Sequence, residues 1–300
     1  MTLQTEIPVA DGVRERAVGV RNGAQTLRGN LILPPAASRA DTGVLFIHGW
    51  GGVRSGPHNL LTAQARALGR AGYASLRFDL GGRGESVGDA PAADLAGMAE
   101  DALRAAAVLK ESAGVDRLVL VGICSGGNVA IGILDRLPEA AGLFLMSVYP
   151  FGDADSFTRD ARRSMHYLQE YWRKLWLRST WRRLFHGEVD VRAVVRIALG
   201  PLWRRVRPKP TADNAADNGR QAGLPASPLH NLLLQRPRVC LVYGGRDPEY
   251  TTSYKYYEAF EHEHKLGLQI TSIAEANHNF YSIAWKREIE TILMNFVKEV

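Results

Sequence analysis

Four short segments of this 300-residue chain carry reactive side chains just past the ends of expected strands, three of them with the glycines that let a backbone bend sharply. The first is GICSGG at 122–127, after RLVLV and at the start of a helical pattern. Gly-x-nucleophile-x-Gly in that setting is a nucleophile elbow, a turn so tight that small residues must stand two positions either side of the reactive side chain. Gly122 and Gly126 satisfy that demand when Cys124 is the nucleophile. Ser125 is the alternative nucleophile, in a register that puts Ile123 on the crowded side. A helix beginning directly after Cys124 also favours its thiolate, because a helix N-terminus stabilises negative charge. The second cysteine, Cys240, lies mid-strand in RVCLVY and reads as a small buried hydrophobe.

The second segment, HGWGG at 48–52, is a Gly-rich loop able to turn backbone N–H groups toward the oxygen of a tetrahedral intermediate. The expected oxyanion donors are the amides of Trp50 and of Ser125, the residue after the nucleophile. His48 reads as a brace for this loop, and Asp79 with the glycines of FDLGGRGES at 78–86 as structural. The third segment, GGRDP at 244–248, offers Asp247, and the fourth, ANHNF at 276–280, offers His278. A histidine takes the nucleophile's proton, and a carboxylate fixes its tautomer and supports the imidazolium. Asp153 and Asp155, just past the run at 142–148, are the alternative acids.

The elements that must position these residues alternate. Residues 13–33 read as two strands around a turn at Asn22-Gly23. Buried-looking runs follow at 43–47, 74–79, 117–121 and 142–148, separated by helical patterns near 58–72, 92–113 and 126–137. Unbroken apolar runs suit parallel strands covered on both faces, so the fold class is α/β, a doubly wound and mostly parallel sheet. The pattern breaks at 150, where a helical stretch rich in Trp and Arg begins, followed by a polar stretch at 211–227 that reads as a mobile loop. It resumes with a strand at 238–243, a helix near 249–265, a strand near 267–273 and a helix from about 286. The expected organisation is a core from 1–150 and 236–300, with 151–235 inserted as a helical cap.

Composition narrows the classes. Apolar residues make up 46% and charged residues 23%, which is globular rather than disordered. The 30 glycines and 14 prolines show no repeat period, which excludes collagen-like and solenoid chains. No apolar run approaches the roughly 20 residues that span a bilayer. Two cysteines are too few for a secreted disulfide framework, and MTLQTEIPVADGVRER lacks the features of a signal peptide, so the expected location is cytoplasmic. The net charge of +6 is local: residues 161–210 hold thirteen Lys and Arg against three acids, a net +10, and the other 250 residues sum to −4. No nucleic-acid motif accompanies that charge. His262 and His264 stand two apart on a charged helix and point to different faces, as solvated residues rather than metal ligands.

With these residues on the page, the chain resembles the α/β-hydrolases over nearly its whole length, and Cys124, Asp247, His278 follow that fold's nucleophile–acid–base order. GICSGG resembles the Cys-containing elbow of the dienelactone hydrolases, which implies a Cys-His-Asp triad. That family lacks a long cap, so its lactone substrate is not implied. In elbow, cap and length the chain is also similar to hydrolases associated with bacterial exosortase and exopolysaccharide systems. Their pattern has an Arg in the loop after the 74–79 strand, where this chain has Gly81 and Gly82 before Arg83.

Three readings of the 151–235 segment stay open. Trp172 and Trp176 are four apart and share a helix face, with Arg173 and its basic neighbours on others. The segment is a plain cap packing its aromatics, an apolar acyl pocket with a basic rim for an anionic group, or an interfacial membrane contact. The expected function is a Cys-dependent hydrolase of an acyl ester or thioester, small or carrier-bound, needing no cofactor or metal. Acyl transfer or cyclisation through the same acyl-enzyme is the alternative, and a catalytically silent binding protein the rival of another class. The oligomeric state is not legible.

Overall fold

The computed structural model describes residues 5–10, 12–23, 25–88, 95–150 and 229–300. Asp153, Asp155, Trp172, Arg173 and Trp176 lie outside them, as does the expected cap as far as residue 228. Among the described residues the strands are β1 (Glu6–Ala10), β2 (Val13–Asn22), β3 (Gln25–Leu33), β4 (Thr42–Ile47), β5 (Ser75–Phe78), β6 (Arg117–Ile123), β7 (Ala140–Met146), β8 (Arg238–Gly244) and β9 (Gln269–Ile273). The helices are α1 (Leu60–Arg70), α2 (Leu95–Ala113), α3 (Ser125–Gly132), α4 (His230–Gln235), α5 (Tyr250–His264) and α6 (Ile283–Glu299).

The strands form one sheet in the order β1-β2-β3-β5-β4-β6-β7-β8-β9. β5, β4, β6, β7, β8 and β9 run parallel to one another, while β1, β2 and β3 form an antiparallel wing whose β3 pairs antiparallel with β5. β1, pairing Glu6 with Arg16, is absent from the sequence reading because EIPVA is short, contains Pro and buries no residue fully.

Strand periodicity explains how one sheet serves two cores. Successive side chains of a strand point to opposite faces. In β4, Leu45 and Ile47 join the core under α2, α3 and α5, while Val44 and Phe46 join the core under α1 and α6. β6 and β8 divide in the same way, Leu118 and Leu120 from Val119 and Val121, and Leu241 and Tyr243 from Cys240 and Val242. Each fully buried side chain of this size contributes roughly 1.5–3 kcal/mol, so apolar packing on both faces holds the sheet.

Two boundaries differ from the sequence reading. The helix expected over 126–137 ends at Gly132 and continues as a 3-10 turn over Leu134–Arg136; glycine is a poor helix former and stands where the helix stops. The helix α4 lies inside the span assigned to the insertion, yet its Asn231 donates to the carbonyls of Ile131 and Gly132, and its Leu232 is buried in the core.

Candidate active site

Cys124 sits between β6 and α3 with φ 57° and ψ −129°, a left-handed conformation that β-carbon-bearing residues rarely adopt. The crowding around it explains the flanking glycines. A Cβ on Gly126 would lie 2.2 Å from the Ile47 carbonyl oxygen, and one on Gly122 would lie 2.5 Å from the Gly127 Cα. The sulfur is therefore presented at the C-terminal edge of the parallel strands, half-buried, with α3 starting at the next residue.

Two other strand ends bring in the partners of that sulfur. The loop after β8 is tied to the loop after β9 by the amides of Gly245 and Arg246, which donate to the carbonyls of Ile273 and Ala276. His278 Nδ1 lies 2.7 Å from Asp247 Oδ2, and Asp247 also accepts from the Glu249 amide at 3.1 Å. The Asp247 side chain is 1% exposed and that of His278 26%. Burial opposes ionisation of Asp247, but the His278 bond and the Glu249 amide hold its pKa below the ordinary carboxylate range. Burial also opposes a charge on His278. Its hydrogen bonds to Asp247 and to Cys124, with the charges on both, nevertheless raise its pKa to about 10. Negative charge beside an imidazole favours its protonated form.

The Gly-rich loop after β4 is fixed separately. His48 is buried, with Nδ1 2.8 Å from the Gly49 carbonyl oxygen and Nε2 accepting from the Leu80 amide at 3.1 Å. Burial dominates and lowers its pKa to about 4, so the ring is neutral and braces the loop, as the sequence suggests. Asp79 is structural too, accepting from the Arg54 amide at 2.6 Å and the Glu85 amide at 3.0 Å.

The structure brings together Cys124, His278 and Asp247, and places Trp50 and Ser125 beside them. The Trp50 amide, one of the two expected oxyanion donors, donates to Ser125 Oγ at 2.7 Å. That same bond turns the Ser125 hydroxyl toward the Gly-rich loop, while the contact to His278 is made by Cys124.

The roles of two residues at the site escape the sequence reading. Arg83 donates from Nε to the Trp50 carbonyl, stacks its guanidinium 4.5 Å from the centre of the Trp50 ring and donates to the Gly81 carbonyl at 3.1 Å. It lies in the loop where the resemblance puts an arginine, after Gly81 and Gly82; an arginine inside a Gly-rich loop was the available signal. Tyr149, just past β7, stacks on His278 with ring centres 5.8 Å apart, and its hydroxyl lies 3.5 Å from Nε2. The hydroxyls of Tyr243 and Tyr257 pin that strand end by donating to the carbonyls of Val148 and Tyr149. No motif marks Tyr149 in the sequence. Among the described residues, no three His, Cys, Asp or Glu side chains gather as a metal site would need, and no helix is long and apolar enough to cross a membrane.

Comparison with known proteins agrees with the fold. The sequence profile of the Alpha/beta hydrolase family matches residues 44–287. An esterase of Pyrococcus furiosus is similar in structure, with a TM-score of 0.60 and 17% identity over 94% of this chain and 91% of its own. The esterase Est1E of Butyrivibrio proteoclasticus, solved with ferulic acid, has a TM-score of 0.60 and 15% identity over 94% of this chain and 100% of its own. A dienelactone hydrolase of Anabaena variabilis has a TM-score of 0.58 and 16% identity over 96% of this chain and 99% of its own. No curated protein matches the chain in sequence.

Proposed function

The chain belongs to the alpha/beta hydrolase family, and on that premise we propose that it hydrolyses an acyl ester or thioester through a covalent intermediate on Cys124. The observation that carries this reading is the position of His278, bonded on one nitrogen to the buried Asp247 and also to Cys124. With the proton held on His278, the sulfur is already an anion when substrate arrives. It attacks the carbonyl carbon, and the carbonyl π electrons move to oxygen. Collapse of that oxyanion breaks the bond to the leaving group, which takes the proton from His278 Nε2. Neutral His278 then removes a proton from water as the water oxygen attacks the thioester. The acid departs, and sulfur and imidazolium are restored.

The strained elbow and α3 support the same assignment, since the helix N-terminus favours the anionic sulfur. The esterases and the dienelactone hydrolase that share the fold make ester-like substrates the first class to try. Intact-protein mass spectrometry after brief exposure to p-nitrophenyl esters and acyl thioesters tests the reading. The wild type is expected to gain one acyl group and Cys124→Ala none. An adduct that survives Cys124→Ala and disappears in Ser125→Ala would move the nucleophile to Ser125. Adding an amine or alcohol acceptor to the same reaction separates hydrolysis from acyl transfer by the product formed.

A further inference from the structure

We propose that the oxyanion of this reaction is held by the hydroxyl of Ser125 itself, with the Trp50 amide acting behind it rather than on the substrate. The proposal deepens the acyl-enzyme reading above and rests on it. It starts from the bond in which the Trp50 N–H donates to Ser125 Oγ at 2.7 Å. A hydroxyl has one hydrogen to donate and two lone pairs. Because Oγ is the acceptor in this bond, its hydrogen points elsewhere. Ser125 is the residue directly after Cys124 and the first of α3, so hydroxyl and amide both belong to the residue beside the reacting sulfur.

The Trp50 amide is not free to leave this bond at little cost. Its loop is held on both sides, by Arg83 on the Trp50 carbonyl and ring and by His48 on the Gly49 carbonyl. Gly49 packs so closely on the elbow that a Cβ there would lie 3.0 Å from the Cys124 Cβ. A donor fixed on a hydroxyl oxygen polarises that hydroxyl, and chained hydrogen bonds strengthen one another. The oxyanion therefore meets two donors from one residue, the Ser125 N–H and the Ser125 O–H, the second strengthened by Trp50. Atoms and charges balance as before, since no proton is transferred from Ser125.

The experiment compares the full-length wild type, Ser125→Ala, Ser125→Thr and Cys124→Ala by the pre-steady-state burst with a p-nitrophenyl ester, steady-state kcat and KM, and intact mass. Loss of one oxyanion donor costs on the order of a hundredfold or more in rate. The freed Trp50 amide offsets part of that here. Ser125→Ala is thus expected to lower the acylation rate about tenfold to a hundredfold with little change in KM, while still carrying its acyl group on Cys124. Ser125→Thr, which keeps the hydroxyl, is expected to recover most of the rate. A Ser125→Ala enzyme as fast as or faster than wild type would overturn the proposal, because the hydroxyl would then merely occupy the Trp50 amide. Equal loss in Ser125→Ala and Ser125→Thr would also overturn it. Acylation of Cys124→Ala but not Ser125→Ala would instead sink the Cys124 reading itself.

Discussion

His48 follows β4 and His278 follows β9, two parallel strands of one sheet, and burial disfavours charge on both, yet they hold protons in opposite ways. The partners of His48 are a backbone carbonyl and a backbone amide, one acceptor and one donor, which match a neutral imidazole. Its pKa falls to about 4. The partners of His278 are the Asp247 carboxylate and Cys124, and its pKa rises to about 10. Residue type and position at a strand end are shared, so neither distinguishes a loop brace from a proton carrier. The charge of the neighbours does.

The strongest way to break this contrast is to neutralise the partner of His278. Asp247→Asn is expected to lower kcat by roughly 10⁴-fold, as loss of a triad carboxylate does elsewhere. It also removes the largest influence that raises His278, so the alkaline limb of the pH–rate profile should move from near pH 10 toward neutrality. An unmoved limb would assign the raised pKa to Cys124 instead.

The other side of the contrast is read in stability. A histidine whose folded pKa is lowered stabilises the fold above its unfolded value of about 6.5 and loses that contribution as pH falls toward 4. At about 1.4 kcal/mol per pH unit, the loss amounts to about 3 kcal/mol. Urea denaturation of His48→Gln at pH 7 and pH 4 should show that pH-dependent part gone, whatever the variant loses at neutral pH.

Smaller effects sharpen the positioning of each loop. Arg83→Met leaves the Trp50 carbonyl and ring without their guanidinium and is expected to lower kcat about tenfold, with Arg83→Lys recovering little, because only a planar fork both stacks and donates in this way. Tyr149→Phe keeps the ring stacked on His278 and removes a long hydrogen bond. A fall of only a few-fold in kcat is expected, and a fall beyond tenfold would make the hydroxyl a direct participant.

Much of this was legible beforehand for physical reasons. Parallel strands covered on both faces must be apolar at nearly every position, so 43–47, 117–121 and 238–243 stand out. The elbow is legible because its sterics tolerate only small residues at Gly122 and Gly126. Asp247 and His278 are legible by their order along the chain and their place after strands. Elements that carry little side-chain demand were not: β1 buries no residue fully, and α4 is too short for periodicity to mark it.

By itself, then, the sequence determined the sheet, the elbow and the order of the candidate residues along the chain, because these follow from local sterics and from hydrophobic periodicity. Only the tertiary structure decided which histidine faces a carboxylate, that Arg83 grips Trp50, that Tyr149 lies on His278 and that the Trp50 amide points at Ser125. Each of these depends on groups far apart in the chain being held within bonding distance away from bulk water, and neither spacing nor composition encodes that distance.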